Sequence, residues 1–476
     1  MANSIIEQEP LYDQLPVGQE VIFVVSNQDA VATQLKVKFC AEVHISKLLQ
    51  PNPSVSTDII GTFKTTPNNA GVGIIDLRSI VENYVKSDNM AGQDSQYKGV
   101  VTAGDIRHPL HLIDKFSTNL NVVSYMVIVF YVEYLGADNG VDTPDPNIVT
   151  RAVGTDITSG LFSLFNGYLK YTDILKMGTG GASNNFGYNL NSFNLSGTSS
   201  EFLTNAPIIQ YANIDDYGTV AFLTPNDNLS YIKLTYIDST GSTLGSEQVD
   251  RVTANGAFDY WVASTDMQLV YFGCFPANLM RDGTSMFAGF VSAGTIQGGS
   301  IEVRAFDVSD NRISTLYTIN LNCPNTKGYE SIRLCWLNQW GVWDYYTFTK
   351  KSSKTLSTKG STYTQLQGTW NDSVYRVDSF KGGRKAFRVN STEKIKMNTD
   401  FVSENDNVMF EELMNSPEVY LLDSYQTDVS NSMLNQYVTP VRVMSKSFTT
   451  KTVANDRLLQ YTFEIEKTKT LRTQAV

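Results

Sequence analysis

The chain has 476 residues, a length that suggests about three domains of ordinary size. Only 18% of the residues are charged and 11% are aromatic, and Tyr and Phe are the commonest aromatic types. This composition favours strands and turns, and it disfavours coiled coils and long helical arrays. The net charge of −11 disfavours binding of the chain as a whole to nucleic acid. We therefore expect a mainly β protein with several antiparallel β-sandwich domains and one or two short helices.

Neither a signal peptide nor a membrane span is predicted. The N-terminus, Met1–Glu7, lacks the basic region and following apolar region of a secretory signal. The most apolar stretch, 122–134, is too short to cross a bilayer, and its Val, Ile, Tyr and Phe residues predict a buried strand. The cysteines are few and widely spaced, so we expect reduced thiols from assembly in a reducing cytoplasm. They are Cys40, Cys274, Cys323 and Cys335, and the last two could meet across a hairpin.

Residues 1–136 are predicted to form an N-terminal β-sandwich domain. Every second residue from Leu35 to Ile45 is apolar, which indicates a strand with one buried face and places His44 on its polar face. The spacing of apolar residues in 77–86 predicts one short helix. Further strands are predicted at 21–25, 59–65, 72–76 and 122–134.

Residues 137–200 are predicted to be a long loop or insertion region. Turn-forming residues dominate 137–147 and 178–185, on either side of a short aromatic segment, Phe162–Tyr171. Loops of this length commonly bind a ligand or are disordered. The glycines of 178–181 lack the Lys and Ser or Thr of a phosphate loop, and the aspartates of 137–147 do not match an EF-hand. Whether this region binds a cation or a glycan stays open.

Residues 201–324 are predicted to form a middle β-sandwich domain, and residues 325–476 a C-terminal β-rich domain. In the middle domain, alternating patterns at 232–236 and 313–321 predict antiparallel strands. Asp238–Gly241 has the composition of a hairpin turn between two of them.

The C-terminal domain is predicted to contain one clear helix, at 403–415. Ser403 and Asp406 match the Ser/Thr-x-x-Asp/Glu capping box, and Pro417 ends the helix. Closing strands are predicted at 419–422 and 459–465. The apolar stripe of the helix consists of Val408, Met409, Phe410, Leu413 and Met414.

The sequence predicts no catalytic, cofactor-binding or metal-binding residues. Its only histidines are His44, His108 and His111, and no further Cys or His lies near the pair at 108 and 111. So few histidines argue against a nucleophile activated by a histidine base. A carboxylate pair for glycoside hydrolysis needs no local motif and stays open. The aromatic residues of 335–337 and 343–346 form either a sugar-binding platform or core and interface anchors, and we favour the second interpretation.

The segment 350–396 is basic in an otherwise acidic chain, and only Asp372, Asp378 and Glu393 oppose its cations. Such a segment can dock on an acidic neighbour or contact nucleic acid, and we favour the acidic neighbour. Its basic residues are Lys350, Lys351, Lys354, Lys359, Arg376, Lys381, Arg384, Lys385, Arg388, Lys394 and Lys396.

Several strings, in order and spacing over about residues 12–466, resemble a family of virion structural proteins of tailed bacteriophages. That family is frequent in crAss-like phages and in other phages of Bacteroidetes hosts. The strings are Gly73–Val85, Phe165–Gly167, Phe202–Pro207, Trp336–Asn338 with Trp343–Phe348, and Phe410–Val419.

The resemblance implies a component of a tail, ring or baseplate that turns over no substrate. Its implied partners are further copies in a symmetric ring, with sixfold or twelvefold closure to match a tail axis, and other tail or portal-proximal proteins. It implies a final location in the virion tail. The residues themselves favour assembly in the host cytoplasm, predict no membrane partner and disfavour a nucleic-acid partner. A receptor- or glycan-binding tail protein is the alternative, and a depolymerase ranks below it because no solenoid repeat is visible.

Overall fold

The chain folds into two compact units in a computed structural model. The first unit contains the described residues up to 322 and also Leu337–Asp344, and the second contains 328–336 and the residues from 345 onward. The residues that the structure describes are 3–46, 51, 53, 58–85, 116–118, 123–136, 148–172, 190–224, 228–250, 268–281, 285–322, 328–369, 372–422, 438–452 and 458–469.

The N-terminal part of the first unit is a sandwich of two sheets. One sheet has the strand order β1-β3-β6, and the other has the order β2-β11-β8-β4-β5, with β9 and β10 paired to β8. All pairs are antiparallel except β11 with β2. The strands are β1 (Ile5–Gln8), β2 (Gln14–Pro16), β3 (Ile22–Ser26), β4 (Leu35–Ser46), β5 (Ile59–Thr65), β6 (Val72–Asp76), β8 (Val123–Leu135), β9 (Val149–Arg151), β10 (Ile157–Thr158) and β11 (Phe162–Phe165).

One apolar core joins these two sheets. Phe23 of β3 lies 5.4 Å, between ring centroids, from Phe130 of β8 and 5.6 Å from Phe162 of β11. The alternating residues from Val37 to Ile45 of β4 point into the same core, as the sequence predicts. The alternation of apolar residues along β4 therefore predicts correctly which of its side chains from Val37 to Ile45 lie in the core of the first sandwich.

The polar face of β4 differs from the prediction. On that face His44 and Cys40 are completely buried, and on the face predicted to be buried the first residue, Leu35, is exposed. His44 Nε2 lies 3.0 Å from Glu42 Oε1 on the same face. A period of two shows which residues share a face, but it does not show whether that face is covered.

Part of the predicted loop region is sheet. β9, β10 and β11 all pair with β8, and β11 also pairs with β2. These strands have two to four residues, which is too short for an alternating pattern to register. The segments 137–147 and 173–189, with the aspartates and glycines considered above, lie outside the described residues.

A second sandwich follows in the first unit. Its larger sheet has the order β12-β18-β17-β14-β15, with β12 and β18 parallel, and its smaller sheet has the order β13-β16-β7. Buried side chains such as Phe222, Leu234, Phe272 and Val303 form its core. The strands are β7 (Phe116–Thr118), β12 (Ile209–Ala212), β13 (Thr219–Thr224), β14 (Tyr231–Ile237), β15 (Thr243–Asp250), β16 (Gln268–Gly273), β17 (Ser300–Phe306) and β18 (Tyr317–Leu321).

The second unit contains one antiparallel sheet and one helix. The sheet has the order β20-β19-β23-β24-β25-β22-β21, and the tips of β19 and β20 belong to the first unit. Its strands are β19 (Ile332–Leu337), β20 (Trp343–Phe348), β21 (Ser352–Gln365), β22 (Gly383–Asn398), β23 (Val419–Leu422), β24 (Val438–Val443) and β25 (Thr462–Lys467).

Five α-helices occur in the part of the chain that the structure describes. The predicted helix at 77–86 is limited to a single turn, and the one at 403–415 begins at Asp406. Only half of the capping box forms: the Asp406 carboxylate accepts from Ser403 N at 2.7 Å and from Ser403 Oγ at 2.8 Å. The helices are α1 (Gln28–Thr33), α2 (Arg78–Val81), α3 (Pro276–Arg281), α4 (Phe287–Ser292) and α5 (Asp406–Asn415), of which α1, α3 and α4 have no sequence prediction.

Candidate interaction surface

Among the described residues, the feature that offers an interaction surface is the hairpin of β21 and β22. Within the described residues there is no group of three or more His, Cys, Asp or Glu side chains that could hold a metal ion. His108 and His111 lie outside those residues. No helix in the described part of the chain is long and apolar enough to cross a membrane.

Three of the four aromatic residues considered as a sugar platform are buried, and the fourth, Tyr346, is half-buried with its ring against Phe348 and Phe410. Trp336 is fully buried, and Trp343 and Tyr345 are 3% and 5% exposed. Their rings therefore pack inside the protein, as anchors do, and offer no stacking surface to a glycan. The cysteines Cys40, Cys274 and Cys335 are buried thiols outside any disulfide, and Cys323 lies outside the described residues.

The hairpin of β21 and β22 extends well beyond the sheet that holds it. β22 pairs with β25 only along Lys394–Asn398, whereas β21 and β22 pair with each other along their whole length. Between 356 and 393 the hairpin pairs with no third strand among the described residues, and we call this two-stranded ribbon with its connecting loop the arm. At its base, Glu393 Oε2 lies 3.0 Å from Lys467 Nζ of β25. At about 3.4 Å per residue, the arm's ten-residue strand from 356 to 365 is roughly 30 Å long.

Both faces of the arm are open to solvent. From Lys354 to Thr362 every residue of β21 is exposed, and so is every residue of β22 from Gly383 to Val389. The sequence reading missed both strands because a ribbon with no buried face has no apolar alternation. The available signal was compositional: β-branched Thr and the aromatic Tyr363 precede a Gly382–Gly383 turn.

One face of the arm combines cations with aromatic rings. Opposed residues of an antiparallel ladder share a face, so the pairs Lys359–Asn390, Ser361–Arg388 and Tyr363–Lys385 lie on the same side. A bulge between Ser361 and Thr362 brings in Phe387, whose ring lies 6.4 Å from that of Tyr363. The basic–aromatic face therefore consists of Lys359, Tyr363, Lys385, Phe387 and Arg388.

The cations at the base of the hairpin and those on the basic–aromatic face differ in their ion pairing. At the base, Lys354 Nζ lies 2.7 Å from Glu330 Oε1, and Lys350 Nζ lies 2.8 Å from Asp400 Oδ2. Among the described residues, no carboxylate lies within 4.0 Å of Lys359, Lys385 or Arg388. Lys350 and Lys354 at the base are thus paired within the second unit. In the arm, Lys381 Nζ lies 3.0 Å from Asp378 Oδ2, whereas Lys359, Lys385 and Arg388 have no ion-pair partner among the described residues.

The end of the arm is apolar and locally ordered. Thr369 N donates to Arg376 O at 2.9 Å, and the Tyr375 hydroxyl donates to Gln367 O. Gly368 has a φ of +97°, and a Cβ there would lie 2.4 Å from Arg376 O, so the turn requires glycine. The exposed apolar side chains at this end, which we call the apolar tip, are Leu366, Val374, Tyr375, Val377 and Phe380.

A group of hydrogen-bonded polar side chains lies inside the first unit, at the turn 338–344. The Thr204 hydroxyl donates to Asp344 Oδ1 at 2.6 Å, and Asn338 Nδ2 donates to Asp344 Oδ2 at 3.0 Å. Asn338 Nδ2 also donates to Leu203 O at 3.2 Å. Burial raises the pKa of Asp344 from the ordinary 3.8 to about 6, against the lowering effect of these hydrogen bonds. We call Thr204, Asn338 and Asp344 the polar clamp.

Comparison with known proteins does not assign a family. No protein-family model and no curated protein sequence matches the chain. A solved structure of alpha-2-macroglobulin from E. coli, in its native conformation, aligns with 99% of this chain at 8% identity and a TM-score of 0.16. This chain covers 31% of that protein, and so low a score carries no argument about fold or function.

Proposed function

We propose that this chain is a structural subunit of a tailed-phage virion, part of a symmetric tail ring or baseplate held together by subunit contacts. The observation that carries the proposal is the arm with its apolar tip. An isolated two-stranded ribbon is marginally stable in water, and contiguous exposed apolar residues mark interaction sites in soluble proteins. Contact with another molecule would bury the apolar tip and stabilise the two-stranded ribbon.

The assignment to a phage tail rests on the resemblance of the sequence strings described above. The structure adds a physical role for two of them. Trp336–Asn338 and Trp343–Phe348 supply buried aromatic residues and two of the three clamp side chains. Such residues build a rigid scaffold, and a structural subunit needs a rigid scaffold to hold its neighbours in fixed positions. In this proposal the chain turns over no substrate.

The test is the assembly state of the full chain. Mass photometry and electron-microscopy class averages of the purified protein should show a closed ring, and sixfold or twelvefold symmetry would match a tail axis. In a map of a phage particle that carries this chain, its density should repeat around the tail axis. A protein that stays monomeric and cleaves a host polysaccharide would overturn the proposal.

A further inference from the structure

The arm's basic–aromatic face carries an inference about its partner. Six of the 37 Lys and Arg residues and three of the 48 Asp and Glu residues lie in the arm, 356–393, which gives the arm a formal charge of +3 and the rest of the chain −14. Outside its own arm, a second copy of the chain therefore has a net charge opposite to that of the arm. Resting on the proposed function, we infer that the basic–aromatic face docks on an acidic surface of another copy of this chain.

The composition of the arm favours a protein over nucleic acid as its occupant. Phe387 is 46% exposed next to Arg388, and Tyr375 and Phe380 at the tip are 64% and 72% exposed. Aromatic residues and Arg are enriched in the cores of protein interfaces, whereas surfaces that bind nucleic acid are more polar and more basic. Nucleic acid would also be repelled by the net charge of −14 on the rest of the chain.

Charge also determines the kind of contact. Two basic–aromatic faces repel each other, so the arm of one copy has to meet a different surface on the next copy. Such a contact is heterologous, and it closes into a ring when the rotation between copies divides a full turn. The arm's reach of roughly 30 Å suits a contact with a neighbour.

The closing experiment compares charge reversals inside and outside the arm. The test variant is Lys385→Glu with Arg388→Glu. The matched control is Lys446→Glu with Arg78→Glu, which changes one exposed Lys and one exposed Arg outside the segment 350–396. Circular dichroism and thermal unfolding check that both variants fold. Sedimentation velocity of the full chain, over a range of protein concentrations, measures assembly at ionic strengths of about 0.05 and about 0.5 M.

We expect the test variant to raise the concentration needed for half-assembly about tenfold or more, because opposed charges at an interface become like charges. The control should assemble as the wild type does, and the higher salt should weaken wild-type assembly. In a mixture of ¹⁴N- and ¹⁵N-labelled chains, a carbodiimide should cross-link Lys359 or Lys385 to Asp or Glu residues of the other isotope.

Three results would overturn the inference, and they separate it from the proposed function. Wild-type multimers that the test variant leaves unchanged would refute the docking role and leave the structural role standing. A wild-type chain that sediments as a monomer at every concentration would refute both. Unchanged assembly of the test variant, together with lost binding of a duplex DNA oligonucleotide in fluorescence anisotropy, would assign the face to nucleic acid.

Discussion

At the scale of single residues, Asp344 is a carboxyl group that folding removes from water. Its pKa rises to about 6 in the folded chain from an ordinary value of 3.8, because burial penalises the charged form. Between these two pH values the folded chain binds the additional proton. The free energy of unfolding contributed by Asp344 therefore falls as the pH rises from about 4 to about 6, by an amount on the order of 3 kcal/mol.

The variant Asp344→Asn should remove this dependence. At pH 4 the folded carboxyl group is protonated, and the variant should be less stable than the wild type by about 1 kcal/mol, because both oxygens of a carboxylic acid can still accept hydrogen bonds whereas the amide nitrogen only donates. As the pH rises to 7, the free energy of unfolding of the variant should increase relative to that of the wild type. Urea unfolding followed by tryptophan fluorescence at several pH values measures the difference between the two curves. Parallel curves would contradict the burial of an ionisable Asp344.

The variant Asp238→Asn is a control of opposite sign. Hydrogen bonds from Thr240 and Ser242 lower the pKa of this exposed carboxyl. Its contribution to stability is present above the ordinary pKa and is lost as the pH falls through the lowered value. Relative to Asp238→Asn, the wild type should therefore gain stability as the pH rises. As the pH rises, the difference in free energy of unfolding between the wild type and the variant should therefore decrease for Asp344→Asn and increase for Asp238→Asn.

Gly341 is a second residue that the clamp turn requires. Its φ is +75°, and a Cβ there would lie 1.7 Å from Asn166 O. Gly154 has a φ of +74° with nothing within 4 Å of its would-be Cβ, so it isolates the conformational part of the cost. We expect Gly341→Ala to destabilise the first unit by about 2 kcal/mol or more beyond Gly154→Ala. Equal denaturation midpoints for the two variants would show that the turn has room to move.

At the scale of elements, helix α5 holds the core of the second unit. Phe410 packs with its ring centroid 5.0 Å from Tyr346 and 5.4 Å from Phe463 of β25. Met409, Phe410 and Leu413 of the predicted stripe are buried, as expected from the sequence. Val408 is 39% exposed, so its predicted place in the stripe is wrong. The stripe of α5 is narrower than its apolar residues suggest, because the polar side chains of Asn407 and Glu412 are buried beside it.

Truncation of the stripe tests this placement. Leu413→Ala should lower the free energy of unfolding by about 2–5 kcal/mol, because it leaves a cavity under a fully buried side chain. Val408→Ala removes an exposed side chain from the same helix and should cost about 0.5 kcal/mol or less. Chemical denaturation of both variants makes the comparison. A cost below about 1 kcal/mol for Leu413→Ala would place its side chain at the surface.

The arm can be shortened without loss of a strand pair from the sheet that supports it, although the ion pair between Glu393 and Lys467 is removed. Because 356–393 makes no strand pairing with β25, its replacement by a short Gly-rich turn should leave the thermal midpoint within a few degrees. Assembly should be lost, since the arm's cations and apolar tip are lost with it. Differential scanning fluorimetry and mass photometry report the two effects separately. Unfolding of the shortened chain would show instead that the arm belongs to the core of the second unit.

At the scale of the whole molecule, the redox state of the cysteines depends on the compartment in which the chain folds. Burial raises the pKa of the Cys40 thiol to about 12 and that of Cys335 well above its ordinary value. Alkylation of the native protein near pH 8 should therefore be slow at these two residues. In urea without reductant, mass spectrometry should find all four cysteines modified, including Cys323, which lies outside the described residues. A bridged Cys323–Cys335 pair would contradict this expectation.

The sequence by itself determined those parts of the fold in which the signal is local. Strands β5, β6 and β23 begin and end where the sequence predicts, because short runs rich in β-branched and other apolar residues, bounded by turn residues, are encoded within a few positions. The β-rich class follows in the same way from composition. The segment 350–396 was also recognisable as basic, but not as a hairpin, because a ribbon exposed on both faces carries no apolar period.

Only the tertiary structure decided which polar residues are buried and which charges stay exposed. Thr204 and Asp344 are 140 positions apart in the chain, and no local pattern shows that they meet. His44 lies on the polar face of a correctly predicted strand, yet it is fully buried. Of the cations in 350–396, Lys354 finds a carboxylate partner in Glu330, whereas Lys359 is exposed with no such partner among the described residues, and the sequence alone does not show this difference. Burial and pairing depend on what covers a surface, and packing between distant segments supplies that cover.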